Sequence, residues 1–359
     1  MNQRFSEIAP LLRGLSFNGE KGLIVVSREQ VETPELTCAA EELENRFRPG
    51  MRSVQVEGAG GFLLGEDYDD AIHQTENAPV RTGRDAVVSN KVCVVTGGAQ
   101  GFGEEFVREL VQHGATVFIA DINEVGAGRL ADELNAEQGR TVAFGVRVDV
   151  TDEASVESMV TEVVNKVGGI DLFVSNAGVL KAASVKQQSL AEFEFVTRVN
   201  YVGFFLCAKH VAPVMEVMNR PNGQYFTDII SISSKSALEG SNKNGAYAGS
   251  KFGSVGLVQS FAKELVVDNT KVNTICPGNF FDGPLWSHPE TGLFVQYLQT
   301  GKVPGAKTLA EVRTHYEAQV PMNRGCDGKD AIKAILYAVE QKYETGQAIP
   351  VTGGQVMLN

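Results

Sequence analysis

What the chain has little of narrows its chemistry. The five cysteines (Cys38, Cys93, Cys207, Cys276, Cys326) include no Cys-x-x-Cys pair. Neither a zinc site nor a disulfide framework is indicated, no metal is expected, and the scattered thiols suit a reducing compartment. Positive charge is also short: 32 Lys and Arg face 44 Asp and Glu, a net of −12. That argues against the basic face that nucleic acid or an anionic membrane requires. Residues 1–85 carry nine Lys and Arg against fifteen Asp and Glu, half of the whole net charge. No apolar run approaches the roughly 18 residues of a membrane span. The first residues, with Arg4 and Glu7, have no apolar core of signal-peptide length. A cytoplasmic location is the expectation.

What is present divides in two. Residues 1–85 read as a small acidic α/β extension ending in a linker over 80–90. The pattern predicts a helix SEIAPLLRGL, a strand GLIVV, a helix PELTCAAEELENRF stopped by Pro49-Gly50, strands SVQVEG and GGFLLG, and an acidic helix EDYDDAIHQTENA. The stretch VEGAGGFLLGEDYDDAI resembles the closing strand and helix of class II sugar-phosphate aldolases. It lacks their metal-binding histidines, since His73 stands alone, so a structural role is expected there.

From residue 86 to 359 the pattern becomes βαβ alternation, which predicts a Rossmann-type doubly wound parallel sheet with helices on both faces. The strand KVCVVTG runs into Gly97, Gln100, Gly101, Phe102 and Gly103, then a helix to Gln112. Glycines at such a turn let backbone N–H groups approach a pyrophosphate at the helix N-terminus. The next strand ends in Asp121, followed by Ile122. A carboxylate there suits both ribose hydroxyls of an adenosine and repels a 2′-phosphate, which points to NAD. Asp149-Val150 ends a third strand, placed to touch adenine, and Asn176-Ala177-Gly178 a fourth. Asn200 is a polar residue amid Val199, Tyr201 and Val202 in a helix over 190–215. The segment 279–325 is long enough to be a substrate lid.

The stretch 229–263 carries the chemistry. A strand ends at Ser233-Ser234, and a helix follows on which Tyr247 and Lys251 are four residues apart. That spacing puts both side chains on one helical face. A neighbouring ammonium lowers a phenol's pKa, so Tyr247 is expected to be tuned toward neutrality for proton transfer.

These motifs together resemble the classical short-chain dehydrogenase/reductase family over residues 91–359. The resemblance implies Asn200, Ser234, Tyr247 and Lys251 as catalytic residues. It implies cofactor contacts from the glycine turn, Asn176-Ala177-Gly178, Tyr247, Lys251 and Pro277-Gly278. The family's usual threonine after Pro277-Gly278 is not evident in NFFDGPLW. The closing segments VPMNRGCD and TGQAIPVTGGQVMLN resemble members that interconvert a sugar-alcohol phosphate and its ketose. A polyol or sugar-phosphate substrate is therefore expected, and a homo-oligomer, which family members form through the helix carrying Tyr247. Lys181, Lys235, Lys243 and Arg324, with Lys302 on the segment 279–325, are the candidates for the substrate phosphate, each weighed against a solvated surface position. His288 and His315 are expected to be exposed on the lid. The competing readings are a non-phosphorylated polyol, an epimerase, and a dinucleotide-binding regulator without catalysis.

Overall fold

The front of the chain folds because its short apolar runs alternate and pair. The computed structural model describes residues 5–74 and 81–357. Strands β1 (Ile24–Arg28), β2 (Leu36–Cys38), β3 (Ser53–Val56) and β4 (Gly60–Gly65) form a sheet of order β1-β4-β3-β2. One expectation fails here. The run PELTCAAEELENRF opens as strand β2, not as a helix, and is helical only over Leu43–Arg46 after a 3₁₀ turn. Leu36 and Cys38 are buried while Thr37 faces out, and the three residues pair in parallel with Val54–Val56. Tertiary pairing overrides the local helical preference. The acidic helix covers Tyr68–His73 and stops at Gln74 in the left-handed region. The rest of its expected span, and the start of the expected linker, lie in residues 75–80, outside the described residues. The expected boundary near residue 85 falls in a 3₁₀ turn, Gly83–Ala86.

The second sheet is the frame of the molecule. Strands β5 (Val92–Thr96), β6 (Thr116–Asp121), β7 (Ala143–Arg147), β8 (Leu172–Ser175), β9 (Thr227–Ile232), β10 (Thr270–Pro277) and β11 (Ala348–Val351) pair in parallel, in the order β11-β10-β9-β8-β5-β6-β7. Strands β5, β6, β8, β9 and β10 are buried along their whole length, as strands must be when helices cover both faces, and the polar residues of β9 and β10 are buried with them. One face is covered by helices Glu153–Val167, Gly203–Asn219 and Gly245–Leu265, the other by Gly101–Gln112, Glu124–Gln138 and Gly328–Glu340. Strand order reverses between β5 and β8, so a crevice opens there beyond the carboxyl ends of the strands.

Residues 190–219 form one helical stretch with a π-turn at Arg198–Val202. Its 30 residues and window hydropathy of 1.2 match a membrane span in length and composition. Phe204, Leu206, Cys207, Val211 and Met215 are buried in the core beside the sheet, which is what a core helix needs. The segment 279–325 folds as short helices Pro284–Ser287, Leu293–Gln299 and Leu309–Glu317 around Phe281, Trp286, Phe294, Tyr297 and Val312.

The extension is not set apart from the main sheet. Ile24 and Val26 of β1 belong to the same core cluster as Val163, Val164 and Val167. Helix Phe5–Leu15 crosses helix Gly203–Asn219 so closely that a Cβ on Gly14 would lie 2.1 Å from the Met218 carbonyl oxygen. Arg13, fully buried, reaches beneath the amino ends of the main strands. Its guanidinium donates to the carbonyls of Leu23 (2.7 Å) and Asn90 (3.3 Å) and to the Asp171 carboxylate. Asp171 also accepts from the Tyr225 hydroxyl and from Val92 N at 2.6 Å. Burial, the largest single influence, would raise the Asp171 pKa, but the Arg13 and Lys91 charges together with the hydrogen bonds from Tyr225 and Val92 outweigh it and hold the group below the usual carboxylate range. Nearby, Lys271 pairs with Asp228 at 2.9 Å and donates to the Gln341 carbonyl at 2.9 Å, close to the end of helix Gly328–Glu340.

Candidate active site

Beyond the carboxyl ends of the strands lies a cavity of about 1070 Å³. Its first wall is the turn after β5. Gly97 and Gly101 adopt φ of +63° and +62°, a region that a side chain disfavours. Asn176 ties this turn to the end of β8: its Nδ2 donates to the carbonyls of Thr96 (3.0 Å) and Gly97 (3.1 Å), while Thr96 Oγ1 accepts from Asn176 N. Gly97, Gln100, Gly101, Phe102, Asn176, Ala177 and Gly178 all line the cavity. Gly103 does not. A Cβ there would sit 2.0 Å from the Gly97 oxygen and 2.7 Å from Asn176 Nδ2, so this glycine permits close packing of helix on turn instead of touching a ligand.

Asp121 is buried at the end of β6, accepting from Ala99 N at 3.0 Å and Asn123 N at 2.9 Å. One bond to each oxygen leaves acceptor capacity facing the cavity, where Ile122, Asp149 and Val150 also stand. Two hydrogen bonds from Thr151 hold Asp149 below the ordinary carboxylate range. Asn279, which follows Pro277-Gly278 on the same wall, has a buried Nδ2 with no partner among the described residues. The glycine turn, the acidic strand end and that free amide donor fit a dinucleotide with a terminal carboxamide.

Ser234, Tyr247 and Lys251 converge on the same space. Ser234 lies where β9 gives way to a 3₁₀ turn, Lys235–Ala237, and its hydroxyl both caps that turn (Ser236 N, 3.1 Å) and hydrogen-bonds the Tyr247 phenol. Tyr247 departs from expectation: burial raises its pKa, against the lowering effect of Ser234. The reason is visible at Lys251, whose Nζ turns to the Ile232 carbonyl at 2.7 Å and lies 5.7 Å from the phenol ring centroid. Burial lowers the Lys251 pKa to about 8. Desolvation therefore dominates both groups.

Asn200 stands behind this wall, within the π-turn. Its side chain accepts from Val179 N (2.8 Å) and donates to Val179 O (2.9 Å) and Ser250 Oγ (3.1 Å). It is a positioning residue that fixes the strand-end loop against the Tyr247 helix.

The substrate candidates separate. Lys181 and Lys235 line the cavity. Lys243 is exposed beside it, and its neighbour Asn244 donates to the Tyr297 hydroxyl at 3.4 Å. Arg324 lies elsewhere: it is held by a two-point ion pair to Asp330, one hydrogen bond being 2.9 Å, and does not line the cavity. Its position six residues before Asp330 explains the misplacement, because a local partner captured it. The segment 279–325 brings its own candidates to the wall. Lys302 lines the cavity with its ammonium 3.9 Å over the Tyr297 ring. His288 and His315 are exposed as expected, yet both are on the cavity wall.

A phenol and an ammonium facing a glycine turn and a strand-end carboxylate across one crevice define an alcohol-acting oxidoreductase with a nicotinamide dinucleotide. The chain belongs to the short chain dehydrogenase family, whose model matches residues 91–285. It is 37% identical over 271 residues to sorbitol-6-phosphate 2-dehydrogenase of Escherichia coli, covering 75% of this chain and 99% of that protein. The crystal structure of sorbitol-6-phosphate 2-dehydrogenase from Erwinia amylovora is 40% identical, with a TM-score of 0.68 over 74% of this chain and 100% of that one. A 3-ketoacyl-(acyl-carrier-protein) reductase from Brucella melitensis, solved with NADH, shares the fold at 24% identity and a TM-score of 0.63, over 75% of this chain and 99% of that one.

Proposed function

We propose that the protein is an NAD-dependent oxidoreductase interconverting sorbitol 6-phosphate and fructose 6-phosphate. The observation that carries this reading is the near full-length match to a sorbitol-6-phosphate 2-dehydrogenase, together with Ser234, Tyr247 and Lys251 on one cavity wall. Asp121 supports NAD over NADP, because a 2′-phosphate would meet its carboxylate. Gly97, Gly101, Asp121, Asn176, Lys251 and Asn279 are the residues that would hold the dinucleotide.

A bound nicotinamide supplies the hydride acceptor for oxidation, leaving one hydroxyl proton for the protein to remove. Tyr247 takes that proton, and Ser234 hydrogen-bonds the same oxygen and fixes its direction. Lys251 in its charged form stabilises the phenolate. In the reverse direction the neutral phenol, favoured by its raised pKa, donates the proton to the ketone oxygen. Asn200 keeps the Tyr247 helix in register with the strand-end loop. Self-association through the small-residue helix Gly245–Leu265 is part of the same reading, supported by exposed Phe252 and, on the neighbouring helix, Phe205. Sedimentation of the full chain at monomeric mass would remove that part.

The test is a substrate and cofactor panel followed by NADH absorbance. Sorbitol 6-phosphate with NAD is expected to exceed sorbitol with NAD, and sorbitol 6-phosphate with NADP, by at least about tenfold in kcat/KM, the loss of one charge-assisted hydrogen bond. Equal turnover of sorbitol, or none of either polyol, would refute the substrate assignment.

A further inference from the structure

Lys235, Lys243 and Lys302 come from different parts of the chain and gather at one side of the cavity. Lys235 immediately follows Ser234 in the 3₁₀ turn. Lys302 closes the lid helix Leu293–Gln299, its backbone N donating to the Tyr297 carbonyl at 3.0 Å and its ammonium resting on the Tyr297 ring. Lys243, in the left-handed region at φ +57°, precedes the asparagine that bonds the Tyr297 hydroxyl. Among the described residues, the lysines paired with carboxylates are Lys21, Lys209 and Lys271, none of them in this group.

We propose that these three lysines form a subsite for a phosphomonoester dianion at the far end of a polyhydroxylated substrate, bridging lid and catalytic turn. The proposal rests on the reading above and adds to it the residues that select a phosphorylated substrate. Half-burying Lys235 and Lys302 beside each other, with exposed Lys243 at the rim, is unfavourable unless an anion completes the site. The charges already act on one another: burial, then Lys243 and Lys235, lower the Lys302 pKa to about 8. Burial also lowers that of Lys235, with Glu239 opposing it. Because Lys302 belongs to the lid and Lys235 to the turn beside Ser234, a dianion held by both ties the lid to the reacting end. The Tyr297 ring keeps the Lys302 ammonium aimed inward, a cation–π contact that lysine makes without losing its hydrogen-bond donors.

The experiment compares the full chain with K235M and K302M, each confirmed folded by thermal unfolding. The readout is the ratio of kcat/KM for sorbitol 6-phosphate over sorbitol. Each substitution is expected to lower this ratio by about 10- to 100-fold, as loss of a hydrogen bond to a charged group predicts. A second arm uses inorganic phosphate against chloride at equal ionic strength, read as a thermal shift of the full chain. Phosphate is expected to stabilise the unsubstituted protein and not the K235M/K302M double variant. If sorbitol phosphate is oxidised and neither variant changes the ratio, the subsite is wrong while the enzyme reading stands. If no polyol is oxidised but phosphate stabilisation disappears in the double variant, the subsite stands and the substrate reading falls. Absence of any phosphate response together with an unchanged ratio overturns the proposal.

Discussion

The two ends of the main sheet treat charge in opposite ways. At the amino ends, Arg13, Asp171, Tyr225, Lys271 and Asp228 are buried and held to one another or to backbone carbonyls. At the carboxyl ends, Lys235, Lys302 and the Asn279 amide face a cavity with no hydrogen bond or ion pair to a carboxylate or carbonyl among the described residues, Glu239 acting on Lys235 only through space, and Lys251 donates to the Ile232 carbonyl. The same strands thus end in a closed ionic floor and an open chemical mouth. The difference separates stability from activity. Breaking the floor should cost folding, and breaking the mouth should cost turnover with the fold intact.

The most severe way to test that separation is to remove the extension. A chain starting at Ser89 lacks Arg13, Ile24 and Val26, leaving Asp171 buried without its cation and part of the core uncovered. It is expected to be insoluble or unfolded by circular dichroism; an active truncated enzyme would erase the distinction. Tyr247→Phe comes next and acts at the other end. It should lower kcat by about 10²- to 10⁴-fold, the usual range for a lost general acid–base group, with Tm unchanged. Arg13→Met is expected to destabilise by about 3–5 kcal/mol in denaturant titration, the cost of orphaning one member of a buried pair. Its kcat should match the parent wherever it remains folded.

The pH sign of that floor is specific. Arg13 lowers the Asp171 pKa, so the pair contributes stability above the unfolded carboxylate value near 4 and loses it as pH falls through the folded value. Arg13→Met should reverse the trend, being least penalised in acid, where Asp171 can take a proton. The smallest expected effect is at the mouth. Because the Tyr247 pKa is raised, oxidation should quicken as pH rises from 6 to 9, by up to about tenfold per unit for a single ionisation. In Lys251→Met the same limb should move to higher pH. A flat profile in both directions would show that proton removal does not limit the rate.

Much of the mouth was legible because its residues sit in short local patterns. A strand, a glycine turn and a helix place Gly97, Gln100 and Gly101 whatever the rest of the chain does, and helical spacing alone brings Tyr247 and Lys251 to one face. The floor was not legible. Arg13 and Asp171 are 158 residues apart, and Arg13 sits in an ordinary amphipathic helix. That Lys302 gathers with Lys235 and Lys243 was hidden for the same reason: the three are far apart in sequence. The reversed pKa of Tyr247 was invisible because spacing reports which groups are near, and not how thoroughly water is excluded from them. Strand β2 was missed since its three residues gain their conformation from β3, not from their own preference.

The Arg13–Asp171 pair also orders events during synthesis. At roughly 5–20 residues per second, residue 171 emerges about 8–30 s after residue 13. Through that interval Arg13 has no carboxylate partner, although Ile8, Ala9, Leu11 and Leu12 of the same helix can already pack on Val25, Leu36 and Val54 of the small sheet. The small sheet can therefore form with an arginine still waiting for its carboxylate, and chaperone demand should fall in a circular permutant that places residues 1–74 after the main sheet.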